Sequence, residues 1–291
     1  MKELRHRIYT GAFETLESGW KETIAGLQRN DPLAEVSVLV GSNVLATYLR
    51  RRLAEDGRPA ANIRFYNFPG LVEYIACAPV SRPEKPRLPS LGAVVLLESL
   101  LEDRANLPRA YEPLACYKGF RDALLGTFRD LRDADIAPED LDGVIAAGRR
   151  AADRREQLES FAYLYRRYRE TVGRFRDSDD DFRAAMEKLS RKPEGEDFPA
   201  LLVYGVYDAT GQQIRLLDAL GRTRPMIYFI PFVDAAVSEF ARPFLNTRAS
   251  NLGVEPEHLS PPAKTDSLGR LAERNFGFSR EPIREIGRAH V

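Results

Sequence analysis

Residues 201–221 read LLVYGVYDATGQQIRLLDALG. Leu201–Val206 is an apolar run with β-branched residues, the composition of a strand buried on both faces. A short helix, Gln212–Leu220, follows, and Pro225–Phe232 (PMIYFIPF) reads as a further strand. Strand, helix and strand in that order predict a parallel α/β sheet.

Upstream of Leu201 about a hundred residues carry no strand signal. Residues 91–102 (LGAVVLLESLLE) and 117–133 (YKGFRDALLGTFRDLRD) are amphipathic segments. In residues 156–170, Leu158, Phe161, Leu164, Tyr165 and Tyr168 fall on one apolar stripe, read as core rather than as a base-stacking surface. Ahead of them PVSRPEKPRLPS (79–90) has four prolines and no periodicity, as expected of a linker. Further back the strand signal returns in Arg7–Thr10, Val36–Val40 (VSVLV) and Ile63–Phe68 (IRFYNF). Between the last two, Val44, Leu45, Tyr48, Leu49 and Leu53 share a helix face, and Gly70–Ala76 opens another helix. One α/β domain interrupted by a helical insertion is the expectation. Its boundaries are 1–78 plus 198–240 for the sheet domain and 79–197 for linker and insertion, with 241–291 as an irregular tail.

Composition narrows the function. The chain has 291 residues, 43 Lys and Arg against 43 Asp and Glu, and a formal net charge of zero. That excludes a globally basic nucleic-acid coat but leaves room for a local basic face. No apolar run approaches the roughly 20 residues of a membrane span, and the N-terminus lacks the apolar core of a signal peptide. Cys77 and Cys116 form no CxxC pair, and His6, His258 and His290 lie far apart, so no metal site or cofactor is expected. A reducing cytoplasm is the expected location.

A phosphate-binding loop needs a Gly-rich turn, a Lys and a Ser or Thr. After the first strand this chain reads TGAFETLESGW (10–20): Gly11 is present, the Lys is not, and Glu14 and Glu17 bring negative charge. Residues 201–221 resemble motif II of UvrD-like superfamily I helicases, DExQD–T–xx–Q followed by a helix. On that pattern Asp208, Thr210 and Gln213 match, while Tyr204 falls at the magnesium-binding Asp and Gly205 at the catalytic Glu. Neither can hold the cation or orient water. VSVLVGSNVLATYLRRRL (36–53) looks like the strand and helix that carry a TFTNKAA-type sequence, and IRFYNFPGLVEYIA (63–76) like the TFHxL segment. FRDSDDDFRAA (175–185) resembles the DFDDL stretch before motif II, and the GDxxQ loop expected after PMIYFIPF is missing.

Taken together, residues 6–240 resemble the N-terminal, ATPase-inactivated region of AddB-type helicase–nuclease subunits. The resemblance implies a P-loop-NTPase-like (RecA-like) sheet with a 1B-like helical insertion. It also implies a non-catalytic role in double-strand break repair, guiding DNA and docking an AddA-like motor subunit. Full-length relatives carry a PD-(D/E)xK nuclease and iron–sulfur cysteines, and this sequence has neither. The alternative is an interaction protein that reuses the degenerate fold without DNA. Ser42, Asn43 and Asn67 stand where active relatives touch single strands. Arg50, Arg51 and Arg52 read equally as phosphate contacts or as a solvated helix face; weak, salt-sensitive DNA binding is expected. Phe68 reads as core, and Asp177, Asp179, Asp180 and Asp181 as a helix N-terminus rather than a calcium loop. The string IGRAHV (286–291) matches a translated sequencing adapter, so a truncated reading frame is expected.

Overall fold

The computed structural model describes residues 5–55, 61–76, 85–147, 152–191, 200–233 and 238–260. The chain divides into two compact units. One comprises Met1–Leu71, Lys192–Ala209 and Leu217–Val291; the other comprises Val72–Arg191 and Thr210–Leu216.

The first unit is built on a six-stranded sheet, all of whose pairings are parallel. Its strands are β1 (Arg7–Gly11), β2 (Val36–Val40), β3 (Ile63–Tyr66), β4 (Leu201–Tyr204), β5 (Met226–Pro231) and β6 (Glu257–Leu259), in the order β3-β2-β4-β5-β1-β6. The two runs that suggested a common sheet do pair, with Ser37 opposite Leu201 and Val40 opposite Tyr204. Every residue of β2 and β4 is buried, as expected of central strands covered on both faces. The sheet domain is thus an α/β fold of the expected P-loop-like class.

Helix α1 (Phe13–Leu27) seals one part of the sheet with Leu16, Trp20 and Ile24, and α2 (Asn43–Glu55) another with Ala46 and Leu49. Helix α3 (Phe68–Ala76) follows β3, and Phe68 is buried. Strand β4 stops two residues short of the apolar run because Gly205 turns into the left-handed region at φ 66° while its N–H bonds Phe229 O at 2.9 Å.

In the stretch after Phe232, read as irregular, residues 238–260 hold a helix and a strand. Helix α10 (Arg242–Leu252) has a proline in its first turn and ends on Gly253 in the left-handed conformation. That is the usual start-and-stop asymmetry of a helix. Strand β6 then pairs with β1, Gly11 opposite Leu259. A Cβ on Gly11 would lie 2.7 Å from the Leu259 carbonyl oxygen, so only glycine admits this approach. Residues 261–291, the string 286–291 among them, lie outside the described residues.

The second unit is helical. Helices α4 (Gly92–Glu102), α5 (Lys118–Asp133), α6 (Pro138–Ala146), α7 (Ala152–Val172) and α8 (Ser178–Arg191) belong to it, with the first turns of α9 (Gly211–Gly221). Leu97, Leu101, Leu124, Phe128, Leu164, Tyr165 and Tyr168 form its core. The stripe on α7 is therefore core packing. Residues 85–90 of the proline-rich segment are described, and Leu88 N–H bonds Arg176 O at 2.8 Å. Residues 79–84 lie outside the described set.

One seam of the sheet includes a titratable side chain, His6. The Met226 N–H donates to His6 Nδ1 at 3.1 Å, which requires that nitrogen to be unprotonated. Burial lowers the His6 pKa below its ordinary 6.5. A depressed histidine stabilises the fold above the unfolded-state value, and that contribution is lost as pH falls through the folded value. We expect the thermal midpoint to drop below pH 6.5, and His6→Gln to flatten that part of the profile. An unchanged profile in the variant removes His6 as the cause.

Candidate functional site

Consider first the place where a nucleotide would sit. A phosphate loop requires several residues of extended backbone between strand and helix. Here β1 ends at Gly11 and α1 begins at Phe13, leaving Ala12 alone as the connection. There is no arc of amides to surround a phosphate. The carboxyl end of β4 is filled from the side. Tyr204 is fully buried, with ring centroids 5.7 Å from Phe13, 5.6 Å from Trp20 and 5.9 Å from Phe229. Burial pushes the Tyr204 hydroxyl well above its ordinary pKa, so it stays neutral. An aromatic cluster occupies the position that the family pattern gives to a magnesium ligand.

The other positions of the motif-II-like pattern do not converge on a ligand among the described residues. A Cβ on Gly205 would come within 2.8 Å of Leu45 Cδ2. Asp208 is exposed, with no hydrogen bond or ion pair among the described residues. Thr210 and Gln213 bond each other reciprocally: Thr210 N–H donates to Gln213 Oε1 at 3.1 Å and Gln213 N–H to Thr210 Oγ1 at 3.4 Å. That is a capping box at the start of α9. The T–xx–Q match has a complete local explanation in helix capping.

Glu17 also finds a different use. Its carboxylate is buried and receives Tyr48 Oη at 2.8 Å, Arg52 Nε at 2.8 Å and Lys21 Nζ at 2.7 Å. Burial alone would raise its pKa, but the bonds from Lys21, Tyr48 and Arg52 outweigh that and lower it. Glu17 therefore fastens α1 to α2 as a satisfied anion.

The arginine run splits three ways, because successive residues of a helix point about 100° apart. Arg52 serves Glu17 and Glu55. Arg51 pairs with Glu55 at 2.8 Å. Arg50 has no acidic partner among the described residues and lies over the Phe65 ring at 4.9 Å, a cation–π contact on an exposed surface. Of the three, Arg50 alone presents an uncompensated charge.

Ser42, Asn43 and Asn67 meet at the carboxyl edge of β2 and β3, the side of a parallel sheet where ligands bind. Ser42 caps α2, with Leu45 N–H donating to its Oγ at 3.2 Å. Asn67 caps α3, with Gly70 N–H donating to its Oδ1 at 2.8 Å, and its Nδ2 donates to Asn43 Oδ1 at 3.1 Å. Arg50, seven residues beyond Asn43, falls on the same face of α2. The link between Asn43 and Asn67 and the ring beneath Arg50 escaped sequence reading, since both join segments that are separate in the chain.

Among the described residues no group of three or more His, Cys, Asp or Glu side chains could hold a metal ion. His258 Nδ1 lies 3.3 Å from Thr10 Oγ1 and Cys116 is exposed; Cys77 and His290 lie outside the described residues. Asp177 is the cap of α8, its Oδ1 accepting the N–H groups of Asp179 and Asp180 at 3.0 and 3.2 Å. Asp179 and Asp181 are spent on arginines.

A family model described as ADDB, N-terminal, matches residues 59–238. The chain belongs to the AddB N-terminal family. Among curated proteins none matches the sequence. The matched AddB region contains Asn67 and the motif-II-like positions Tyr204, Gly205, Asp208 and Gln213. Gly11, Ser42, Asn43 and the three arginines precede it, so their assignment rests on the fold around them. AddB-type chains are subunits of DNA-repair helicase–nucleases, which places DNA and a partner subunit around this one. No described helix is long and apolar enough to cross a membrane.

Proposed function

We propose that this chain is a nucleotide-free, helicase-like module of an AddB-type DNA-repair subunit. In this reading it guides a DNA strand along the carboxyl edge of its sheet and docks a motor subunit, without catalysis of its own. The observation that carries the nucleotide-free half is the filled site: a one-residue connection from β1 to α1, and Tyr204 in an aromatic cluster where a cation would bind. The DNA half is supported by the grouping of Ser42, Asn43 and Asn67 with the uncompensated Arg50. An Arg laid on an aromatic ring beside neutral amides suits a phosphate backbone, which is bound by charge and read without regard to sequence. Docking of a motor subunit rests on the family alone.

The experiment is a salt titration of binding to labelled single-stranded DNA. Arg50→Ala should weaken binding several-fold and reduce the slope of log affinity against log salt by about one phosphate contact. Arg51→Ala should change little, because Glu55 already neutralises Arg51. Equal effects of the two substitutions, or none from Arg50→Ala, would place the DNA elsewhere or remove it.

A further inference from the structure

The orientation of the Asn43 amide is dictated from outside Asn43. A side-chain amide has an accepting oxygen at one end and a donating NH2 at the other, and its hydrogen-bond partners decide which way it points. Gly70 N–H is a backbone donor and demands an acceptor, so Asn67 must turn Oδ1 toward it, as it does at 2.8 Å. The other end of Asn67, its NH2, then faces Asn43 and demands an acceptor in turn, met by Asn43 Oδ1 at 3.1 Å. The chain of demands leaves Asn43 with Nδ2 unpartnered among the described residues, on an exposed residue. Ser42 adds to the same polarity. Its Oγ accepts from Leu45 N–H, so its hydroxyl proton is free to be donated. With Arg50 the edge offers donors from three side chains.

We propose that Asn67 is a positioning residue which locks Asn43 as a hydrogen-bond donor, and that the group Asn43 receives is a phosphodiester oxygen of nucleic acid. The inference rests on the DNA-guiding reading above and adds the polarity of the contact. Base edges differ from one another in their donors and acceptors, guanine N7 and O6 being acceptors alone, whereas every phosphodiester presents the same accepting oxygens with a negative charge. Donors beside one uncompensated guanidinium suit that charged acceptor, which is present at every nucleotide.

The test compares two probes: a fluorescein-labelled oligothymidylate and an abasic oligonucleotide of the same length and label. Binding is measured by anisotropy for the full chain, Asn43→Ala, Asn67→Ser and the double variant. Serine at position 67 keeps an oxygen for Gly70 N–H, so α3 stays capped, but it is too short to hold Asn43. Asn43→Ala should weaken both probes by the same factor, roughly three- to tenfold. Asn67→Ser should cost less, and the double variant should be no weaker than Asn43→Ala alone, because the two residues act through one contact. Additive losses overturn the positioning role of Asn67. A loss confined to the base-bearing probe overturns the phosphate assignment. If the unsubstituted chain binds neither probe, the DNA-guiding reading falls and this inference with it. Binding that depends on Arg50 but ignores both asparagines sinks the inference alone.

Discussion

Tyr204→Asp, which restores the acid that the helicase pattern expects, should damage the fold and recover no nucleotide binding. The side chain is fully buried against Phe13, Trp20 and Phe229. Exchange for aspartate empties most of a ring-sized volume and places an ionisable group among aromatic rings. The cavity alone costs about 3–5 kcal/mol, and a buried carboxyl without donors adds more. For a chain of this size that corresponds to a fall of roughly 5–10 °C in Tm. Isothermal titration with ATP and magnesium should be silent for the native chain and the variant alike, since Ala12 alone cannot make a phosphate loop. Tyr204→Phe, which keeps the ring and loses only a long bond to Phe13 O at 3.4 Å, should stay within about 1 kcal/mol. Micromolar ATP binding by Tyr204→Asp at an undiminished Tm would show that the site is intact and merely unoccupied.

Arg132→Ala should have a comparable effect on the helical unit. Arg132 is nearly buried and bonds Asp177 at 2.6 Å and Asp179 at 2.9 Å, while its carbonyl accepts Gln212 Nε2 at 3.0 Å. Asp179 also receives Arg169 at 2.6 Å. Burial pushes the Asp179 pKa up, but the bonds from Arg132, Arg169 and Gln212 outweigh it and hold the carboxyl below its ordinary range. Removal of the arginine takes a cation from two poorly hydrated carboxylates, leaving Asp179 with Arg169 and Asp177 with backbone N–H groups, a loss of up to about 3–5 kcal/mol. The sign of the pH dependence follows. In the native chain Asp179 stabilises the fold above its unfolded pKa, and that stabilisation is lost as pH falls through the lower folded value. In the variant the carboxylates lack one of their cations and are penalised most when ionised, so the gap between the two proteins should be widest near neutral pH and should narrow toward about pH 4. A gap independent of pH would mean that lost packing, rather than charge, sets the cost.

The sheet was legible because its central strands announce themselves. Val36–Val40 and Leu201–Tyr204 are apolar without alternation, and only a strand covered on both faces suits that composition. Strand β6 was not legible, since Glu-His-Leu carries no pattern and its place depends on the bare backbone of Gly11 almost 250 residues earlier. Helix α10 was missed although Pro243 and Gly253 mark its ends, because its apolar residues are too few to show a face. At the site, the absence of phosphate-binding residues could be read directly, but what replaces them could not. That Tyr204 fills space, and that Arg52 answers Glu17 while Arg50 lies on Phe65 with no acidic partner among the described residues, are facts of packing between distant segments. The Thr210–Gln213 spacing shows the opposite limit, for one string can be read both as a helicase motif and as a helix cap.

The position of β1 bears on how the chain is made. Both of its neighbours, β5 and β6, are translated long after it, with β2, β3, β4 and most of the helical unit in between. At about 5–20 residues per second, β1 waits on the order of ten to forty seconds for either. Strand β2 and its partner β3 lie close in sequence, and the helical unit is complete, apart from the start of α9, before β4 is synthesised. Strand β1 thus precedes β2 and β3 in the chain but can pair only after them, and its exposed backbone is what a chaperone or an aggregating neighbour would meet meanwhile.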